Sequence, residues 1–375
     1  MTSRTRCERD GTWIEKDYLE AIPERQRFCR ERPARLSVRE LRLLVARSEY
    51  EAAFRLFERS EASAAKSSAS AQYFAEYCWW KLGQSWRASE RLRPAAVSGL
   101  TLSKDWESPE ELLRRIKDYE HSRPPLRRTY RDGKGREIVR IFVASADWSA
   151  EFESRLADMV TQGAALFADR DFPRSLPIDV CVVGEIEEFD AIVEARFGRS
   201  HARWVFATGA SGLVAICERY RDGHRDFSLG EPESLSTLAH EYFHALVRGH
   251  YGVSFVAEAP DRWNEGSARV FAQPYHESEF RRSETVVRDT IAHGEPPSLR
   301  HLARSLYEER IHVGYAFSHV FVRWLLAGQD MRGLRRLLDL AEETGGLGDA
   351  VRSETGRGLA DHYETFLASN ASETQ

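Results

Sequence analysis

Five consecutive residues, His240-Glu241-Tyr242-Phe243-His244, place two imidazoles four positions apart with a carboxylate beside the first. On a helix, residues four apart share a face, with Cβ atoms about 5–6 Å from one another. Two imidazoles so placed can both reach one Zn²⁺ ion at Zn–N distances near ~2.0 Å. The Glu241 carboxylate then stands beside the ion rather than beneath it, within reach of a proton on bound water. This chemistry requires a helix. Leu235, Leu238, Ala239, Phe243, Leu246 and Val247 recur at the spacing of a buried helical stripe. Pro232 and Glu233 suit the first turn, and Gly249 is the expected stop.

Catalytic zinc sites use three protein ligands and leave a fourth position for water. Asp261 is an acceptable N-cap for a second helix, in which Trp263-Asn264-Glu265-Gly266-Ser267-Ala268 leads into Val270 and Phe271. Glu265, a short loop downstream of the first two ligands, is a suitable third. Together, H-E-x-x-H and the later x-E-G-x-A resemble the gluzincin clan of zinc metallopeptidases. His250 is the rival ligand, six residues after His244, where the metzincin pattern H-E-x-x-H-x-x-G-x-x-H has its third histidine. That pattern has glycine where this chain has Val247. It also needs a methionine turn, for which the chain offers only Met331, in a stretch that reads as a helix start. Glu265 is therefore the expected third ligand and a metzincin-like site with His250 the lesser alternative.

The resemblance covers about residues 137 to 370. Ala215-Ile216-Cys217-Glu218-Arg219-Tyr220, followed by the H-E-x-x-H segment, looks most like the peptidase domain of bacterial collagenase-type enzymes. It implies a thermolysin-like domain, with a mixed sheet whose edge strand precedes the zinc helix and pairs with an extended substrate backbone. Gly212 to Cys217 is the expected edge, with Gly212, Leu213, Val214 and Ala215 binding substrate by strand addition. It also implies an oxyanion donor in the helical half, where His312, Tyr315 and His319 share a helix face and Tyr315 is the candidate. Arg269 departs from the family. An acid is usual four residues after the ligand glutamate, orienting a ligand histidine; here either another acid, such as Asp261 or Glu258, serves instead, or activity is low.

The elements that position these residues divide into two kinds. Residues 1–122 read as a helical accessory domain. Ser37 with Glu40, and Ser108-Pro109-Glu110-Glu111, open helices there. Its tryptophans, Trp79, Trp80 and Trp86, are expected in its core. The arginine-rich stretch 123–136, with Pro124-Pro125 and Asp132-Gly133, reads as a solvated linker. From 137 on, strands are expected at 137–143, 178–183, 203–207 and 213–218, with helices over 148–167 and 186–197. Residues 137–250 would form the sheet and zinc helix, and 251–375 a helical subdomain. The fold class is thus α+β.

Composition narrows the partners. With 42% hydrophobic and 30% charged residues the chain is an ordinary globular one. A net charge of −5 gives no pull toward nucleic acid or anionic membrane. No apolar run approaches a membrane span, and the first thirty residues are charged throughout, unlike a secretory leader. The five cysteines are scattered without a C-x-x-C pair, which indicates neither a disulfide framework nor a thiolate zinc site. The expectation is a cytoplasmic zinc metalloendopeptidase acting on a peptide or protein. The alternative is an interaction or regulatory protein with a vestigial zinc site and a protein partner on its N-terminal helices.

Overall fold

The computed structural model describes residues 5–6, 13–14, 38–46, 50–59, 68–81, 92, 100, 106–144, 149–168, 177–197, 207–210, 212–218, 232–258, 261–304, 310–326, 329 and 331–372. The Ser37 cap and Trp86 lie outside them, as does most of the strand expected at 203–207. In chain order, helices α1 (Val38–Ala46), α2 (Tyr50–Arg59), α3 (Ala69–Lys81) and α4 (Pro109–Ser122) precede the sheet. Strands β1 (Leu126–Arg131) and β2 (Glu137–Val143) are followed by α5 (Ala150–Leu166), β3 (Ile178–Val183) and α6 (Ile186–Phe197). Then come β4 (Ala207–Ala210), β5 (Leu213–Cys217), α7 (Pro232–Glu258) and α8 (Asp261–Ala272). The chain continues as α9 (Glu277–Ala292), α10 (Leu299–Arg304), α11 (Ile311–Leu325), α12 (Met331–Thr344), α13 (Leu347–Thr355) and α14 (Leu359–Ser372). Thr5–Arg6 also pairs antiparallel with Trp13–Ile14, in a two-stranded sheet.

The sheet has the order β1-β2-β3-β5-β4. Its centre is parallel, with Val139 opposite Ile178 and Asp179 opposite Leu213, while β1 and β4 run antiparallel at its two edges. Successive side chains of a strand point to opposite faces, and here both faces are covered. Val139, Ile141, Val143, Ile178, Val180, Val182, Val214 and Ile216 pack with α5, α7 and α8. Phe142, Cys181, Val183, Leu213, Ala215 and Cys217 point the other way, into a core shared with α1 to α4 and α6. A sheet buried on both sides has strands that are apolar at nearly every position, and all of β3 and β5 is buried. The helices of the N-terminal part thus form a layer on the sheet and share its core.

Residues 123–136 are not a linker. Leu126–Arg131 pairs antiparallel with β2, and Gly135, at φ +75, closes the hairpin with Asp132, whose Oδ1 accepts from the backbone of Lys134 and Arg136 at 2.9 Å each. The arginine run is that of an edge strand, where exposed charge discourages pairing with other chains. Arg127 pairs with Glu153 at 2.6 Å and Arg131 with Glu137 at 2.6 Å.

Arg123, at the start of that stretch, reaches instead into the sheet. Its guanidinium and that of Arg140 meet Asp179 on β3 at 2.8 and 2.6 Å, and the Tyr119 hydroxyl donates to the same carboxylate at 2.9 Å. Asp179 is fully buried. Removing one partner from a buried ion pair leaves charge without compensation and costs about 3–5 kcal/mol. Asp179→Ala is expected to lose stability of that order, measured by denaturant unfolding, because both guanidinium groups lose their counter-ion together.

The C-terminal helices form a further core, in which Val287, Leu302, Val313, Phe317, Phe321, Tyr363 and Phe366 meet between α9, α10, α11 and α14. Among the described residues, no helix is long and apolar enough to cross a membrane. Cys78, Cys181 and Cys217 are buried thiols.

Candidate metal centre

Helix α7 runs on past Gly249 to Glu258. Glycine within a helix costs about 1 kcal/mol relative to alanine, and contacts on the next residues offset it. The His250 ring stacks on Phe167 with centroids 4.1 Å apart, and the Tyr251 hydroxyl donates to Asp339 at 2.8 Å. The apolar stripe of the helix faces the sheet, where Leu235, Leu238, Ala239, Phe243, Leu246 and Val247 are all buried. That orientation turns His240 and His244 toward α8.

Helix α8 brings Glu265 to meet them. His240 Nε2 and Glu265 Oε2 are 2.9 Å apart, His240 Nε2 and His244 Nε2 3.0 Å, and His244 Nε2 and Glu265 Oε2 3.5 Å. A tetrahedral zinc with ligand bonds near 2.0–2.1 Å has ligand atoms about 3.3–3.4 Å from one another. The triangle is of that size. His240, His244 and Glu265 could hold a metal ion, and no other group of three His, Cys, Asp or Glu side chains among the described residues does so. The side chains are 15%, 6% and 14% exposed, which is enough burial to fix them and enough opening to admit a ligand. His250 is not in the group.

The electrostatics follow from this convergence. Burial alone would lower the His244 pKa, but the charge of Glu265, its hydrogen bond and the charge of Glu241 outweigh that and raise it. Burial would raise the Glu265 pKa, but the two histidines hold its carboxyl well below the usual range. The three groups therefore favour the arrangement in which a cation sits among them. A proton and a metal ion compete for the same imidazole nitrogen, and the raised His244 pKa favours the proton, so affinity for metal is expected to fall as pH falls.

Two glycines set the close approaches around the site. A Cβ on Gly209 of β4 would run into the backbone carbonyl of Glu241, so only glycine lets this strand lie against the helix at that point. Arg248 donates to the Gly209 carbonyl at 2.6 Å and fixes the contact from the same helix. A Cβ on Gly266 would run into the carbonyl of Ser318 on α11. The glycine after Glu265 is thus explained by the helix that crosses behind it. Gly266→Ala is expected to cost about 1–3 kcal/mol by overpacking and to weaken metal binding as Glu265 shifts. Parallel unfolding and metal-titration measurements would check both effects.

The other expected site residues fall as follows. The ring of Tyr315 on α11 is edge-on to His240 with centroids 6.5 Å apart, and the Arg269 guanidinium lies over its face at 4.5 Å. His319, one turn on, is buried against Phe280, and neither of its ring nitrogens has a partner. Burial, with the positive charges of Arg269, His240 and Arg323, pushes its pKa down to about 3, so it is neutral. His312 is exposed. Strand β5, which carries Leu213, Val214 and Ala215, is paired on both sides, with β3 and with β4. Gly212, Leu213, Val214 and Ala215 are consequently buried inside the sheet and do not offer an edge. The edge on this side is β4, because the residues before β5 fold back antiparallel.

Sequence reasoning missed Glu279, on α9. Its carboxylate accepts from Arg269 at 2.7 Å and from the Ser236 hydroxyl at 3.1 Å, with His276 Nδ1 at 3.9 Å. No local pattern marks it, since it reaches the site across the turn that follows α8. The side chains of Asp261 and Glu258, the expected substitutes for the missing acid, lie outside the described residues. The chain matches no known protein family and no curated protein.

Proposed function

We propose that the protein is a zinc-dependent metallopeptidase with a thermolysin-like arrangement of its catalytic half. The observation that supports this most is the ligand triangle of His240, His244 and Glu265, with Glu241 in the intervening turn. Bound there, zinc would act as a Lewis acid and bring the pKa of its water toward ~7. Glu241, which has no ligand role in this reading, takes the proton as water attacks the peptide carbonyl and delivers it to the leaving nitrogen. Tyr315, beside His240, is the candidate donor to the carbonyl oxygen as it gains charge. An extended substrate backbone would lie along β4, where Ala207–Ala210 presents the edge of the sheet. The Gly209 carbonyl is already committed to Arg248, so recognition along that strand would use its other backbone groups.

A mixed peptide library tests the proposal. Cleavage is expected from the zinc-loaded protein, to stop on chelation and to return when zinc is restored. A zinc-loaded protein that cuts nothing in the library would favour an interaction or regulatory module that uses the metal for structure.

A further inference from the structure

Each ligand-bearing helix carries a polar residue one turn from its ligand, on the same face. On α7 it is Ser236, four residues before His240; on α8 it is Arg269, four residues after Glu265. The Glu279 carboxylate of α9 joins the two, one oxygen to Arg269 and the other to Ser236. The Arg269 guanidinium also lies over the ring of Tyr315, at 4.5 Å from its centroid, and that ring meets the ring of His240. Ser236, Glu279, Arg269 and Tyr315 thus run around one side of the ligand cluster. We propose that Glu279 is a positioning residue of the metal centre, resting on the metallopeptidase reading above. It ties the two ligand helices together, and it neutralises an arginine that would otherwise oppose a divalent cation.

The second role follows from chemistry. A guanidinium cannot shed its proton in a protein, and Arg269 is only 22% exposed, so water screens it poorly. Beside a site meant for a dication, that charge needs a partner. An acid four residues after Glu265 would have supplied negative charge directly. This chain carries the opposite charge there and takes a carboxylate from the next helix to compensate.

Zinc affinity, read by competition with a chromogenic chelator, tests the proposal together with the melting temperature of the metal-free protein. Glu279→Gln is expected to weaken zinc binding by about 10–100-fold, the usual effect of losing a group that supports metal ligands. Glu279→Asp, which keeps the charge, should bind zinc close to the wild-type level. The double variant Glu279→Gln/Arg269→Gln should recover most of the lost affinity, because the uncompensated cation has gone with its partner. A purely structural bridge predicts otherwise, with the double variant binding no better than Glu279→Gln and melting no higher. Should Glu279→Gln fail to fold, the double variant and Glu279→Asp carry the same comparison against wild type. Zinc binding unchanged in Glu279→Gln, or a double variant that recovers nothing, overturns the inference while leaving the metal centre intact. A wild-type protein that binds no zinc overturns the metal centre itself.

Discussion

Glu241→Gln is expected to keep its zinc and to lose at least ~10²-fold of peptide hydrolysis, since general acid–base steps are typically worth ~10²–10⁴-fold. The ligand triangle is made by His240, His244 and Glu265 without it. Glutamine keeps the size and hydrogen-bonding capacity of the side chain and removes only its basicity. Metal content and turnover should therefore separate in this variant, which they do not when a ligand is lost. Tyr315→Phe should cost less, because the metal still polarises the carbonyl. Zinc-dependent cleavage that survives in Glu241→Gln would remove the carboxylate from the mechanism and require another proton acceptor at the site.

Glu265→Ala is expected to release the metal, and His250→Ala to retain it. Glu265 stands 2.9 Å from His240 and 3.5 Å from His244, so its loss opens one side of the triangle. It also leaves the His240 and His244 Nε2 atoms, 3.0 Å apart, without the carboxylate that completes the ligand set. His250 stacks on Phe167, the residue that follows α5, and so packs α7 against the end of that helix. Its replacement should lower stability by the cost of a core truncation, a few kcal/mol, with zinc stoichiometry unchanged. Metal content that follows His250 and ignores Glu265 would reverse the assignment of the third ligand.

What could be read from the sequence was local. His240, Glu241 and His244 are placed by helical spacing alone, and Glu265 by the cap and apolar run of the next helix. Both helices form where periodicity puts them, as do β2, β3, β5, α5 and α6. The errors came where tertiary contact overrides a local signal. Gly249 marks a stop by propensity, yet packing on Phe167 and Asp339 carries the helix nine residues further, to Glu258. The arginines of 127–131 have the composition of a solvated linker and the structure of a charged edge strand. Which strand forms an edge depends on pairing order, and β5 and β4 are exchanged relative to expectation because a short hairpin places the earlier strand outside. Glu279 was invisible for a related reason. Its partners are 43 and 10 residues away, and nothing in its own neighbourhood marks it as part of the site. The glycines are an intermediate case. Gly266 belongs to a motif, but its physical role, admitting the Ser318 carbonyl, needs the helix that crosses it.

The most direct test of the metal centre is elemental analysis of the purified protein beside a His240→Ala/His244→Ala variant, with cooperative unfolding confirmed for both. The arrangement of ligands predicts about one zinc per chain in the wild type, held by three protein ligands, and none in the variant. A folded wild type that takes up no zinc, or a variant that still holds it, would contradict the assignment of His240, His244 and Glu265 as the metal site.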